Sequence, residues 1–366
     1  MLNRRTFLKT GLGLAGLSLS GCSISLQTSS VLISVARDPN DQYFIQTFTH
    51  NGEVTGCWPI PARAHDIAAR PFSSEVVVFD RRPGKLLYHL DWHKPEQAIQ
   101  TVNSDSLRHF YGHGVFSEDG RWLYTTENNL ETLQGVVGIY DAGQGYKRAG
   151  EFQLDGSGPH EVAMMPDGET LVVALGGIKT HPDSGRTPLN PDNMKPALLY
   201  IDRDSGAELE RQVLIDHALS IRHLDVMPDG TVAVGMQYQG DPGVLPLVAL
   251  HQRGEPLKPV KATEAEWLSF HGYIASVCFM PDNNTLAVTS PRGNRVGLID
   301  VMSGTLKTLI HNRDCSGAAR TASGLLAISN GLGGIQLLKC QNGQAEEVSK
   351  AQFRHNQWDN HMLSLV

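Results

Sequence analysis

The sequence predicts an all-β fold, a seven-bladed β-propeller whose ring is closed by pairing of its N- and C-terminal strands. Three observations carry this. A turn signature recurs as Ser117-Glu118-Asp119-Gly120, Met165-Pro166-Asp167-Gly168, Met227-Pro228-Asp229-Gly230, Met280-Pro281-Asp282-Asn283 and a degraded Thr321-Ala322-Ser323-Gly324. Successive signatures are spaced by 48, 62, 53 and 41 residues, close to a blade period of about 40–50 residues with loop insertions. No segment has a convincing helical period, and Thr263 to Trp267 makes at best one turn.

Each signature is a tight-turn signal between two β-rich runs. A short apolar strand follows it: Trp122 to Thr125, Leu171 to Leu175, Thr231 to Gly235, Leu286 to Thr289 and Leu325 to Ser329. A loop comes next, then a strand closing in a second turn, as in Leu199-Tyr200-Ile201-Asp202-Arg203-Asp204-Ser205-Gly206 and Gly297-Leu298-Ile299-Asp300-Val301-Met302-Ser303-Gly304. The repeat is therefore a four-stranded blade. Pro71-Phe72 before Glu75 to Phe79 is a divergent sixth anchor. The strands Val31 to Ala36 and Tyr43 to Thr49, with a last strand near Met362 to Val366, supply a seventh blade. Closure by both ends removes the sheet edges that an open array would expose.

The N-terminus stands outside this repeat. Arg4-Arg5-Thr6-Phe7-Leu8-Lys9, a short apolar run and Leu19-Ser20-Gly21-Cys22 resemble a twin-arginine export signal ending in a lipobox. Residues 1–21 are read as the signal peptide, 22–30 as a linker and 31–366 as a single propeller domain. Cleavage before Cys22 removes Arg4, Arg5 and Lys9 and no acid, taking the net charge from -7 to -10. Acyl chains on Cys22 would tether the protein to a membrane, and Ser23 after the cysteine, by resemblance to Gram-negative lipoproteins, implies a periplasmic protein anchored to the outer membrane rather than the inner. Export by this route delivers folded proteins, which is compatible with a cofactor loaded beforehand.

Composition excludes several classes. With 40% hydrophobic and 19% charged residues the chain is neither disordered nor a coiled coil. Thirty-one Lys and Arg against 38 Asp and Glu, with no long run of either sign, argue against nucleic-acid binding. Cys57, Cys278, Cys315 and Cys340 show no Cys-x-x-Cys spacing, so covalent haem and a cysteine zinc site are unsupported, and their pairing is left open. Neither a phosphate loop, a Gly-x-Ser-x-Gly elbow nor a His-Glu-x-x-His helix is present.

In a propeller the innermost strand starts at one mouth of the channel, and the loop between second and third strands returns to that mouth. Counting back six residues from the turn Asp selects His113, Glu161, His223 and Ser276, and treating Phe72 as equivalent adds Asp66. Counting back seven selects His65, Gly112, His160, Arg222 and Ala275. Neighbouring positions on a regular strand face opposite ways, so these form two alternative rings. Asp66, His113, Glu161 and His223 offer two imidazoles and two carboxylates, a set suited to Fe, Zn, Cu or Mn. The same residues could instead hydrogen-bond neighbouring blades with no ligand. The second ring, with Glu127, Asn128, His181, Arg186, Gln237 and Arg292 from the loops, could line a polar pocket in which Arg recognises a carboxylate or phosphate, or could merely order the loops.

Arg81-Arg82-Pro83-Gly84, Tyr124-Thr125-Thr126-Glu127-Asn128, Gly158-Pro159-His160-Glu161, Thr180-His181-Pro182-Asp183-Ser184-Gly185-Arg186, Ser220-Ile221-Arg222-His223-Leu224, Gln237-Tyr238-Gln239-Gly240 and Thr289-Ser290-Pro291-Arg292-Gly293 together resemble an uncharacterised family of twin-arginine-exported periplasmic propellers. The resemblance spans nearly all of the chain after Cys22. It implies a setting in iron-regulated loci beside imelysin-type lipoproteins and a di-haem peroxidase-like protein, and hence a role in iron acquisition with such proteins as partners. The segment Asn129 to Gln134 departs from the Gly- and Asp-rich stretch expected of the family. The leading expectation is an accessory module binding iron, copper or an iron-bearing partner. A metal- or cofactor-dependent oxidoreductase or hydrolase using His113, His160 or His223, and a protein-protein scaffold, are the alternatives.

Overall fold

The computed structural model describes residues 30–365 except Arg186, Asp241 to Gly243 and Asn283. The export and lipidation signals at Arg4, Arg5 and Cys22 lie outside the described residues, as does Arg186. Strand accounts for 55% of the chain and helix for 4%, in seven four-stranded antiparallel sheets arranged as a ring. From the channel outward, blade 2 is Ala64–Ala69, Glu75–Asp80, Leu86–Asp91 and Gln100–Asn103. Blades 3 to 7 begin at the channel with Arg108–Phe116, Pro159–Met164, Leu219–Val226, Ser276–Phe279 and Cys315–Arg320. Blade 1 is composite: Gln357–Leu365 is innermost, followed by Val31–Arg37, Tyr43–Thr49 and Val54–Ile60.

Burial explains the strand sequences. A second strand is covered by blades on both sides, so Thr170–Leu175 and Thr285–Ser290 are buried at every position and read as continuous runs rather than alternating ones. The outermost strand of blade 7, Gln344–Gln352, meets solvent and is made only of exposed and half-buried residues. The recurrent turns work through their Asp: Asp167 Oδ1 accepts from the amides of Glu169 and Thr170 at 2.9 Å each, and Gly168 takes φ 66°, a conformation that glycine adopts without a Cβ clash. Among the described residues the one α-helical turn is Glu264–Leu268, capped by Thr263 and Glu266 in a capping box, with Trp267 buried beneath it.

The closing strand extends further back than its apolar end suggests. Gln357–Leu365 pairs with Val31–Arg37, Val31 opposite Leu365 and Ala36 opposite Trp358. Phe48, Phe353 and Trp358 lock the seam between blades 7 and 1, with ring centroids 4.6–5.1 Å apart. All four described cysteines are free thiols. Burial holds Cys315 and Cys340 up to about 12. Among the described residues no helix is long and apolar enough to cross a membrane.

The innermost strands of every blade but the sixth depart from regular pairing. Their registers shift between Ala64 and Ile67, Phe110 and Gly114, Pro159 and Glu161, Ile221 and His223, and Cys315 and Ala318, and opposite Ser34 to Ala36 in blade 1. Each shift places extra residues on the inner strand, a bulge that re-aims side chains. The bulges hold His65 and Asp66 in blade 2, Tyr111 to His113 in blade 3, His160 in blade 4, Arg222 in blade 5, and Asp359 to His361 in blade 1. Gly112 sits in one at φ 109°, where a Cβ would lie 2.8 Å from His65 Cδ2. Gly112→Ala is expected to cost about 2–4 kcal/mol, from the strained backbone and overpacking against His65. An unchanged urea midpoint would show that the bulge relaxes freely.

Candidate metal centre

The bulges merge the two expected rings. In a regular strand His65 and Asp66, or His160 and Glu161, would point to opposite faces, yet all four reach one group of side chains in the channel. Five imidazoles meet there, from His65, His113, His160, His223 and His361, each no more than 9% exposed. Ring centroids lie 4.9 Å apart for His65 and His113, 4.8 Å for His113 and His160, 4.7 Å for His160 and His223, and 4.8 Å for His113 and His361. Two triads offer ligand atoms within 4.8 Å of one another: His65, His113 and His160, and His113, His223 and His361.

Carboxylates stand behind these rings. His113 Nδ1 donates to Asp66 Oδ2 at 2.9 Å, His223 Nδ1 hydrogen-bonds Glu161 Oε2 at 3.1 Å, and His65 Nδ1 is 3.4 Å from Asp359 Oδ1. A carboxylate on Nδ1 fixes ring orientation and leaves Nε2 of His113 with its lone pair free, the arrangement that metal-binding histidines use. His113 Nε2, His160 Nδ1 and His361 Nε2 are buried without a hydrogen-bond partner. An orphaned buried nitrogen costs roughly 1–3 kcal/mol, which a metal ion would offset by coordination.

The electrostatics favour neutral ligands. Burial, then repulsion among the imidazoles and nearby arginines, holds His65, His160 and His223 well below the ordinary value. Burial likewise pushes His361 down to about 4 against the attraction of Asp66. Burial raises Glu161 well above the carboxylate range, and the charge of Asp66 adds to this. For Asp66 burial is outweighed by the charge and hydrogen bond of His113, which leave it below the usual value.

Two spaces approach the cluster. On the face carrying the turns at Pro228 and Pro281, a cavity of about 780 Å³ reaches Asp66, Glu161, His223 and His361. On the opposite mouth, a chamber of about 20 Å³ touches His65, His160 and His223 beneath Arg81, Arg82 and Arg222. Arg81 is held below its usual value by burial, the pull of Asp359 being opposed by repulsion from Arg63 and Arg82.

The four residues expected as a metal ring, Asp66, His113, Glu161 and His223, are brought together, Asp66 and Glu161 standing behind the imidazoles. His65, His160 and Arg222 join them deep in the channel rather than at an open mouth. Gln237 lines the small chamber, with Nε2 3.4 Å from the Ile274 carbonyl, and Arg292 lies 4.5 Å over the Tyr273 ring. Glu127 and Asn128 lie on the strand Trp122–Asn129 rather than in a loop, where Glu127 is buried against Arg148 and Tyr140, and Asn128 donates to the Thr180 carbonyl at 3.2 Å. His181 caps its own loop at Asp183. Counting from turn signatures missed His361 and Asp359, because the closing strand precedes no such turn. The run Trp358-Asp359-Asn360-His361 was the available signal.

Fold and site together define a seven-bladed propeller with a buried, carboxylate-backed histidine cluster in its channel. The chain belongs to the family described as "Protein of unknown function (DUF1513)", whose model matches residues 58–365. No curated protein matches it. Among solved structures it is similar to a chain of "Kuenenia stuttgartiensis Hydrazine Synthase" (18% identity, 83% of this chain and 75% of that one, TM-score 0.46). It is also similar to a chain of the "Crystal Structure of Mitotic Checkpoint Complex" (12% identity, 82% and 83%, TM-score 0.59). At 12% identity the second likeness reports the fold alone.

Proposed function

We propose that the protein binds a transition-metal ion in the histidine cluster of the channel, as a lipid-anchored periplasmic accessory in the acquisition of iron or another metal such as copper. The observation that carries this is the convergence of five buried imidazoles, three of them with an unpartnered nitrogen and three backed by a carboxylate. Imidazole suits Fe, Cu, Zn and Ni alike. The periplasmic setting, the anchor at Cys22 and a partner of the imelysin or di-haem type rest on the signal motif and the family resemblance. The wide cavity is the route that favours a cation, since the Asp66 carboxylate, held below its usual value, lines it beside His223 and His361.

Protein purified without chelator is expected to carry about one metal ion per chain by elemental analysis, with a visible spectrum if the ion is iron or copper. The double variant His113→Ala, His223→Ala is expected to lose it while keeping the β-sheet circular dichroism of the parent. Equal metal content in parent and variant, or a parent that takes up no added Fe, Cu or Zn, would overturn the reading. The cavity of about 780 Å³ is within the size range of ligand pockets and favours a second reading, metal-dependent catalysis on a small substrate. Turnover that disappears on metal removal would establish it.

A further inference from the structure

The two sides of the histidine cluster differ in their charged groups. Asp66, Glu161, Asp225 and Arg320 border the wide cavity, whereas three guanidinium groups and, among the described residues, no carboxylate border the small chamber. Arg81 and Arg82 come from the loop after Glu75–Asp80, and Arg222 from the bulge of blade 5. Among the described residues the ion pairs of Arg81 go to Asp359, at 3.4 Å, and that carboxylate also serves Arg63 and His65. Arg82 stacks on the Tyr111 ring at 5.3 Å and is in no ion pair among the described residues. Arg81 Nε and Arg82 Nη1 are buried donors without a hydrogen-bond partner. Leaving donors of a charged group unsatisfied costs more than for a neutral one, and an anion between them removes that cost.

We propose that this chamber is an anion subsite adjoining the metal centre, taking a small planar oxyanion of the carboxylate or bicarbonate class. The proposal rests on the metal reading of the cluster, since the imidazoles of His65, His160 and His223 form the chamber's inner wall. A volume of about 20 Å³ holds one or two water-sized groups, enough to seat the two oxygens at the edge of a planar anion, and tetrahedral phosphate is the bulkier fit. The guanidinium fork matches that geometry. A cation thus enters from the wide cavity, and the anion meets it from the arginine face.

The test is titration of the cobalt(II)-loaded protein with sodium formate, sodium bicarbonate or sodium phosphate at constant ionic strength, read in the visible spectrum. Formate or bicarbonate is expected to change the spectrum saturably, at least tenfold more weakly in Arg82→Gln, and phosphate is expected to do nothing. A response to bicarbonate alone assigns carbonate, and a response to formate assigns the carboxylate of an organic ligand. No saturable response in a protein holding stoichiometric cobalt, an equal response in Arg82→Gln, or an equal response to phosphate overturns the subsite while leaving the metal site standing. If the parent takes up no cobalt, the metal reading fails instead. The chamber is then read by thermal shift of the metal-free protein with the same salts, where stabilisation lost in Arg82→Gln supports it and none refutes it.

Discussion

Metal-free protein is expected to lose stability progressively as the pH falls below about 6.5, the ordinary histidine value. Burial and mutual repulsion hold His65, His160 and His223 well below that value, and His361 near 4. Between the ordinary and the lowered values the unfolded chain binds a proton at each site that the native state refuses. The unfolded state therefore gains with every unit of acidification, and stability falls. For His361, the span from 6.5 to about 4 is worth roughly 3 kcal/mol at about 1.4 kcal/mol per unit. The other three act in the same direction. Glu161 opposes them, because its raised value lets the native state keep a proton that the unfolded chain releases above 4.5, but it is one carboxyl against four imidazoles. Asp66, lowered in the native state, adds to the loss only below its ordinary 3.8. Urea unfolding followed by tryptophan fluorescence from pH 8 to pH 5 should give a midpoint level above 7 and falling below 6.5, less steeply in His361→Asn. A midpoint constant down to pH 5 would mean that the imidazoles are hydrated and not clustered.

Removing Arg148 is expected to be among the most damaging single changes outside the apolar core, at about 3–5 kcal/mol. Glu127 is fully buried in blade 3, and its carboxylate accepts four hydrogen bonds from three side chains. Arg148 Nη1 donates to both oxygens at 2.8 and 2.9 Å, and Tyr140 Oη and Thr125 Oγ1 each donate at 2.8 Å. Arg148 also holds Glu151 through Nη2 at 2.6 Å. Arg148→Ala strands a buried carboxylate, and breaking such a pair costs more than replacing both members. Glu127→Gln with Arg148→Met should therefore be less damaging than Arg148→Ala alone, as a set of urea denaturation curves would show. The site admits no larger neighbour: a Cβ on Gly138 would lie 2.0 Å from Glu127 Oε1. Metal content in the Glu127→Gln variant is expected to match the parent. Its loss would return Glu127 to the channel's chemistry.

Much of the architecture was legible before any coordinates. Turn signatures such as Met165 to Gly168 are local, because an Asp side chain and a following glycine satisfy and shape their own backbone, so repetition along the chain reveals the blades. Closure was legible too, since Val31 to Arg37 has the apolar character of a second strand and needs an inner partner that only the C-terminus can supply. The candidate site was half legible: His113, Glu161, His223 and Asp66 could be selected by counting from a turn, as could His65, His160 and Arg222. What the count imposed was a parity, two rings on opposite faces, and the tertiary structure removed it. Bulges at His65-Asp66, Tyr111 to His113, His160, Arg222 and Asp359 to His361 add residues to the inner strands, so consecutive side chains enter the same channel. A bulge depends on how one strand fits its neighbour around a closed ring, and no local run of residues encodes it. For the same reason His361 and Asp359 joined the cluster only on ring closure, some 300 residues after His65. Glu127 is bound to Arg148, two strands away, a pairing that no local run of residues reveals. The sequence alone determined the blades and most of the imidazoles; the closing of the ring decided which of them share a centre.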